Sequence, residues 1–241
     1  SVTGSGDDIL IGGGGVDYMA GDVYSYVVNG SLVGTGNDVL YGGDSFDILT
    51  GDVYVFAYYY GTDVATTGSG NDTLYGGGGT DFLFGDVYIF GYHTVDPIES
   101  GQDALYGGGG IDFLVGGGGR DTLSGGSGID VLIFYDGDSG VGSAARDLVL
   151  GFTGVGYAVG DYFDLAGIDA NTNVYGDQSF TFIGTAGFSG GGAAGQLHVI
   201  DNGSNTGSII EGDTDGDGLA DFQIEVSGVQ ETAWRYTDFV L

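Results

Sequence analysis

The sequence predicts an all-β chain: a solenoid of stacked coils, interrupted by strand insertions and closed by a mostly antiparallel β cap. Three observations predict it. A nine-residue unit recurs ten times before residue 134, and a Gly-Asp-Val-Tyr tetrapeptide recurs three times between those units. After Ile133 the units stop, and short apolar runs alternate with glycine-rich turns.

The unit reads G-G-x-G-x-D-x-Leu-x, complete in Gly12–Ala20, Gly76–Phe84, Gly107–Val115, Gly116–Ser124 and Gly125–Ile133. Its sixth position is aspartate in every copy: Asp8, Asp17, Asp38, Asp47, Asp72, Asp81, Asp103, Asp112, Asp121 and Asp130. Its eighth is Leu10, Met19, Leu40, Leu49, Leu74, Leu83, Leu105, Leu114, Leu123 and Leu132. The fourth is glycine in nine copies and Ser45 in the other. Glycines permit a turn whose carbonyls point inward at an ion, and the aspartate adds a charged oxygen. The next three residues form a short strand whose central leucine faces a core while its neighbours face out. One unit cannot bury that leucine alone, so coils must stack. A flexible glycine-rich linker would not keep a leucine in register.

Composition asks for the same ion. Among 241 residues, 34 acids face three basic residues, Arg120, Arg146 and Arg235, giving a formal net charge of −31. Such a surplus excludes nucleic acid or an anionic membrane as a natural partner, and its self-repulsion opposes compaction. Yet 41% of residues are hydrophobic, too many for an acidic disordered tail. A hard divalent cation that takes oxygen ligands would neutralise the charge, and 30 of the acids are aspartate. No cysteine is present, which excludes disulfides, thiol catalysis and cysteine-bound zinc. His93 and His198 form no HExxH pattern. No apolar run approaches the ~20 residues of a membrane-spanning helix. The start, Ser-Val-Thr-Gly, lacks an initiator methionine and a signal-peptide pattern, so the chain is expected to be part of a longer protein.

These nonapeptides resemble the repeats-in-toxin (RTX) family of secreted bacterial proteins, whose calcium-binding signature they match. The resemblance implies a parallel β-roll over residues 1–133, two nonapeptides per coil, with calcium between successive turns on each side. The aspartates then fall into two columns, Asp8, Asp38, Asp72, Asp103 and Asp121 in one, Asp17, Asp47, Asp81, Asp112 and Asp130 in the other. Four gaps per column imply about eight calcium ions in the roll.

Unlike an uninterrupted roll, this one carries insertions at about 21–33, 51–66 and 85–98, each opening with Gly-Asp-Val-Tyr. A constant phase puts them on one side, stacked on each other. Within them Tyr54, Phe56, Tyr58 and Tyr60 alternate, as do Tyr88, Phe90 and Tyr92, and Tyr24 and Tyr26 begin the first. Period two with aromatic and β-branched residues predicts strands. The tyrosines either pack across strands as a second small core or form an exposed ladder for a flat partner such as a polysaccharide ring. Solvent exposure of the rings discriminates the two.

In residues 134–241 strand-like runs include Asp147–Leu150, Phe180–Ile183, Leu197–Ile200, Ser208–Ile210 and Phe222–Val226. A solenoid needs such an end to cover its last leucines and strand edges. Asp161–Leu165, Gly167–Asn171, Phe180–Gly184, Phe188–Gly190, Ala194–Leu197, Gly212–Phe222 and Asp238–Leu241 resemble the C-terminal domain of serralysin-type secreted metalloproteases. The protease domain of that family is missing, so no peptidase activity carries over.

Two motifs in this segment bear on function. Asp213, Asp215, Asp217 and Asp221, with Gly218 after Asp217, match positions 1, 3, 5, 9 and 6 of an EF-hand-like calcium loop and add a further candidate site. The bidentate glutamate is absent, since position 12 is Ile224. The terminal Asp238-Phe239-Val240-Leu241 resembles the export signal of type I secretion substrates, and also reads as a last strand. Gly187–Gly191 fits the G-x-S-x-G elbow of serine hydrolases, but no strand-to-helix pattern surrounds it. The expected function is therefore a non-catalytic, calcium-driven folding and type I secretion module, the C-terminal part of a larger secreted bacterial protein. The alternative is a surface-attachment or glycan-binding module that uses the aromatic insertions on a calcium-stabilised scaffold.

Overall fold

Each nonapeptide folds as a glycine turn followed by a short strand, and equivalent strands of successive coils pair in parallel. The computed structural model describes residues 2–25, 30–57, 64–91, 98–156, 159–204 and 206–241. One face of the roll is formed by Ile9–Gly14, Val39–Asp44, Thr73–Gly79, Ala104–Gly110 and Thr122–Gly128. Its other face is formed by Asp17–Ala20, Asp47–Thr50, Phe82–Phe84, Phe113–Val115 and Val131–Tyr135.

The register sets like on like. Leu10, Leu40, Leu74, Leu105 and Leu123 pair in sequence on the first face, and Met19, Leu49, Leu83, Leu114 and Leu132 on the second. All but the end residues of these columns are completely enclosed, as the period-two reading requires. Each buried leucine contributes about 1.5–3 kcal/mol, so the two columns form the spine of the core. The same register stacks Tyr41, Tyr75 and Tyr106 on the outer surface, with ring centroids 4.9 and 5.1 Å apart.

The insertions do stack. Their outgoing strands Val23–Ser25, Val53–Ala57 and Val87–Gly91 form one parallel sheet. Their returning strands Gly30–Val33, Val64–Gly68 and Ile98–Glu99 form another, which Val2–Thr3 joins. Among the described residues the second core between them is not built from tyrosines. It consists of Val23, Leu32, Val53, Val55 and Val87, with Ile89 packed against it. The tyrosines take the opposite parity and fill the space toward the roll, because alternate residues face opposite ways. Tyr54 stacks on Tyr24 at 4.8 Å and meets the roll through Tyr18 at 6.4 Å, while Tyr88 stacks on Phe84 of the roll at 4.2 Å. Tyr54 is buried and Tyr24 exposed. The expectations for Tyr26, Tyr58, Tyr60 and Tyr92 fall outside the described residues.

Beyond Ile133 the parallel stacking continues before the strands turn antiparallel. Asp147–Val149 and Phe222–Ser227 extend the first face in parallel, and Tyr162–Gly167 and Phe239–Val240 extend the second. The expected antiparallel part is the meander of Phe222–Ser227, Gly207–Asp213 and Gln196–Asp201. Phe152, Phe163, Trp234 and Phe239 cluster over the last leucines, and the Trp234 indole N–H donates to Ser208 Oγ at 2.8 Å. Among the described residues the helical content is one 3-10 turn, Tyr236–Asp238, and no helix is long and apolar enough to cross a membrane.

Ser45 occupies a turn position with φ of +96°, where the equivalent Gly15, Gly79, Gly110 and Gly128 also have positive φ. A side chain there is strained by about 1–2 kcal/mol. Ser45→Gly is expected to stabilise the calcium-loaded protein by about 1 kcal/mol, read as a higher midpoint in thermal unfolding.

Candidate metal centre

The sixth-position aspartates form two continuous ladders. In one, the N–H groups of Asp8, Asp38, Asp72 and Asp103 donate to Oδ1 of Asp38, Asp72, Asp103 and Asp121. In the other, the N–H groups of Asp17, Asp47, Asp81 and Asp112 donate to Oδ1 of Asp47, Asp81, Asp112 and Asp130. These bonds span 2.6 to 3.0 Å. Asp8 is exposed and Asp17 half-buried at the open end, whereas every member from Asp38 to Asp130 is at most 2% exposed.

From Asp38 to Asp130, one oxygen of each ladder carboxylate is thereby used, and the other is not. The Oδ2 atoms of Asp17, Asp38, Asp47, Asp72, Asp81, Asp103, Asp112, Asp121 and Asp130 are buried without a hydrogen-bond partner. Each is aimed at a turn glycine, and at all but those facing Asp121 and Asp130 a backbone carbonyl of the next coil also converges. A Cβ added at Gly42 would lie 2.5 Å from Asp47 Oδ2 and 2.6 Å from the Gly76 carbonyl oxygen. One added at Gly107 would lie 2.5 Å from both Asp112 Oδ2 and the Gly125 oxygen. The insertions leave this arrangement intact. Gly51 and Gly85 open insertions yet still meet Asp72 Oδ2 and Asp103 Oδ2, as Gly116 meets Asp121 in a coil without one.

Burial raises these carboxyls well above the ordinary range. Asp72 is pushed up to about 9, Asp103 and Asp121 to about 8 and Asp112 to about 7. Desolvation is the first cause in each, and the ladder N–H bonds only partly oppose it. An ionised carboxylate buried without a partner costs several kcal/mol, so each free oxygen calls for a proton or a cation. The donors are carboxylates and carbonyls only, which suits a hard cation of the calcium class. The residues therefore fit calcium, held by the free Oδ2 atoms with carbonyls of adjacent turns. Its charge would cancel the carboxylates and tie one coil to the next.

Both ladders run past the last nonapeptide. The Asp121 N–H donates to Asp147 Oδ1 at 2.7 Å, and the Asp130 N–H to Asp161 Oδ1 at 3.0 Å. Sequence reasoning missed these two because their glycine turns are lost. The surviving signal is an aspartate two residues before an apolar one, Asp147-Leu148-Val149 and Asp161-Tyr162-Phe163. They differ in kind. Asp161 Oδ2 is satisfied by the Thr153 N–H and hydroxyl, whereas Asp147 Oδ2 is buried and unpartnered. Asp147→Asn is expected to raise the calcium concentration for half-folding severalfold, measured by circular dichroism, through loss of a charged ligand.

In the cap, Asp213, Asp215 and Asp221 can each place one oxygen within 4.8 Å of the others. Asp217 stands outside that group and caps the Leu219 N–H at 2.7 Å. The loop is also well bonded internally: Asp213 accepts the N–H groups of Gly216 and Gly218, and Asp221 Oδ2 those of Thr214 and Asp215. The G-x-S-x-G match brings no serine to a histidine. Ser189 Oγ bonds Gln196, and the His198 nitrogens face the Ala186 carbonyl and Glu211 at 2.8 and 2.7 Å.

Comparison with family models matches the RTX calcium-binding nonapeptide repeat in four copies, over residues 2–23, 33–53, 59–87 and 99–132. Comparison with curated proteins gives no match. Among solved structures, the chain is similar to the AlgE6R2 subunit of the Azotobacter vinelandii mannuronan C5-epimerase, at 23% identity and a TM-score of 0.43, covering 73% of this chain and 92% of that one. It is also similar to the AlgE6R3 subunit of the same organism's enzyme, at 23% identity and a TM-score of 0.39, covering 82% and 78%.

Proposed function

Starting from a roll built of RTX calcium-binding nonapeptide repeats, we propose that the chain is a calcium-driven folding and secretion module, the non-catalytic C-terminal part of a larger secreted protein. The observation that carries this is the pair of ladders, in which each carboxylate from Asp38 to Asp130 has one oxygen bonded and one buried and free. Calcium binds the folded ladders and hardly at all the unfolded chain, so its concentration sets the folding equilibrium. In calcium-poor cytoplasm the chain stays extended, and millimolar calcium outside folds it. About eight ions in the roll, held by the Asp8 to Asp130 columns, and one at Asp213, Asp215 and Asp221 with Asp217 nearby, would offset most of the negative charge.

The C-terminus supports coupling of folding to export. Phe239–Val240 pairs in parallel with Phe163–Asp164, and Asp238 is buried where it accepts the N–H groups of Gly156 and Arg235. Asp238 and Phe239 of a signal at Asp238–Leu241 are accessible to type I secretion machinery only while the chain is unfolded, since the fold buries both. A reporter fused ahead of the full chain should be exported by a type I system, and deletion of Asp238–Leu241 should lower export at least tenfold. Undiminished export of the truncated fusion would refute the signal. Among the described insertion tyrosines, Tyr54 is buried and offers no face to a glycan ring, whereas Tyr24 is exposed.

A further inference from the structure

The insertions bring in a second set of aspartates. Asp22, Asp52 and Asp86 directly follow Gly21, Gly51 and Gly85 and occupy no sixth position of a nonapeptide. Each joins the outgoing strand of its insertion to the returning segment. Asp22 Oδ2 accepts the Gly36 N–H at 2.7 Å, Asp52 Oδ2 that of Gly70 at 3.0 Å, and Asp86 Oδ1 that of Ser100 at 3.3 Å.

Stapling of this kind uses one oxygen and explains nothing about the other. At Asp22 the other oxygen accepts the Gly6 N–H, at 3.3 Å. At Asp52 and Asp86 it is orphaned: Asp52 Oδ1 and Asp86 Oδ2 have no hydrogen-bond partner, in residues 0% and 1% exposed. Glycine keeps the space beside each one open. A Cβ added at Gly34 would lie 2.8 Å from Asp52 Oδ1, and one at Gly117 would lie 2.5 Å from Asp86 Oδ2. The largest charge effects on Asp86 come from Asp103, Glu99, Asp121 and Asp52, and on Asp52 from Asp22, all of them acidic. Two orphaned carboxylate oxygens, buried beside an acidic ladder, repeat the pattern of the ladder itself.

We propose that Asp52 and Asp86 are ligands for a hard divalent cation, calcium, on the edge of the roll that carries the insertions, in addition to the nonapeptide aspartates. At two of the three interrupted coils that edge then offers two carboxylates, Asp52 with Asp72 and Asp86 with Asp103, where the opposite edge offers one. The insertions thus enlarge the ion-binding edge that they interrupt. This rests on the reading of the roll as calcium-loaded.

The test uses the full chain crystallised with calcium, with ions located by anomalous scattering. Ions within about 2.3–2.6 Å of Asp52 Oδ1 and Asp86 Oδ2, besides those on the nonapeptide aspartates, are expected. Ions on the nonapeptide aspartates alone, with both these oxygens unligated, would overturn the proposal while leaving the calcium-loaded roll standing. Ions nowhere would overturn both. In solution, the paired Asp52→Asn and Asp86→Asn variant should bind at least one calcium fewer per chain in equilibrium dialysis. Asp22→Asn, whose two oxygens are already bonded, should keep the wild-type number. An unchanged number in the paired variant would contradict the assignment, and if that variant fails to fold, the crystals of the native chain decide.

Discussion

Removal of calcium with a chelator is expected to abolish the β structure, and restoring calcium to millimolar levels should recover it. Ladder members from Asp38 to Asp130 are buried with a free oxygen, as is Asp147. Breaking a buried charge pairing costs about 3–5 kcal/mol, against a total stability of about 5–15 kcal/mol for a typical domain. Loss of the ion at only a few rungs therefore exceeds what the leucine columns can hold. Conversely, one site contributes about 2.7 kcal/mol when calcium is at 100 times its dissociation constant, and the contributions of independent sites add. The transition should be steep, because an ion held between two coils would couple their ordering. Magnesium at the same concentration should not substitute, since it demands small octahedral geometry and sheds water reluctantly. Far-UV circular dichroism during a calcium titration measures all of this. A spectrum in chelator equal to that in calcium would sink the calcium-driven reading.

The second large effect separates two adjacent glycines. Gly77→Ala is expected to destabilise the protein by about 3–5 kcal/mol, whereas Gly78→Ala should change stability by less than about 1 kcal/mol. Gly77 has φ of +111°, and a Cβ there would fall on the carbonyl oxygen of Gly43 in the preceding coil. Gly78 has no positive φ, and the nearest atom to its added Cβ is Asp44 Oδ1 at 3.8 Å, an ordinary contact. Thermal or denaturant unfolding of both variants in saturating calcium tests the contrast. Equal effects would show that the coils are not stacked in this register.

Much of the roll was legible because it repeats. Identical units stacked in parallel place identical residues side by side, so one local pattern read ten times also fixes the long-range contacts of Leu40, Leu74 and Leu105. The aspartate columns and the stacking of the insertions follow from the same periodicity. Where repetition ends, legibility falls. The role of Asp147 was hidden because the glycines that frame the other rungs are gone, and its pairing with Asp121 is made across a turn unlike the rest. For the tyrosines of the insertions the pattern left a second core and an exposed ladder open, and among the described residues Val53 and Val55 form the second core. Period two shows that alternate residues face opposite ways but not which set faces which neighbour.

By itself, then, the sequence determined the solenoid, its leucine spine, the ten aspartates and their demand for a cation, since each follows from spacing and charge. Tertiary structure alone decided which oxygen of each carboxylate stays free, which glycine of a run bears the close contact, and how the ladders pass into the cap. It also set Asp52 and Asp86 beside the nonapeptide ladder rather than in water. These depend on what the next coil places within a few ångströms, and a one-dimensional pattern does not contain that distance.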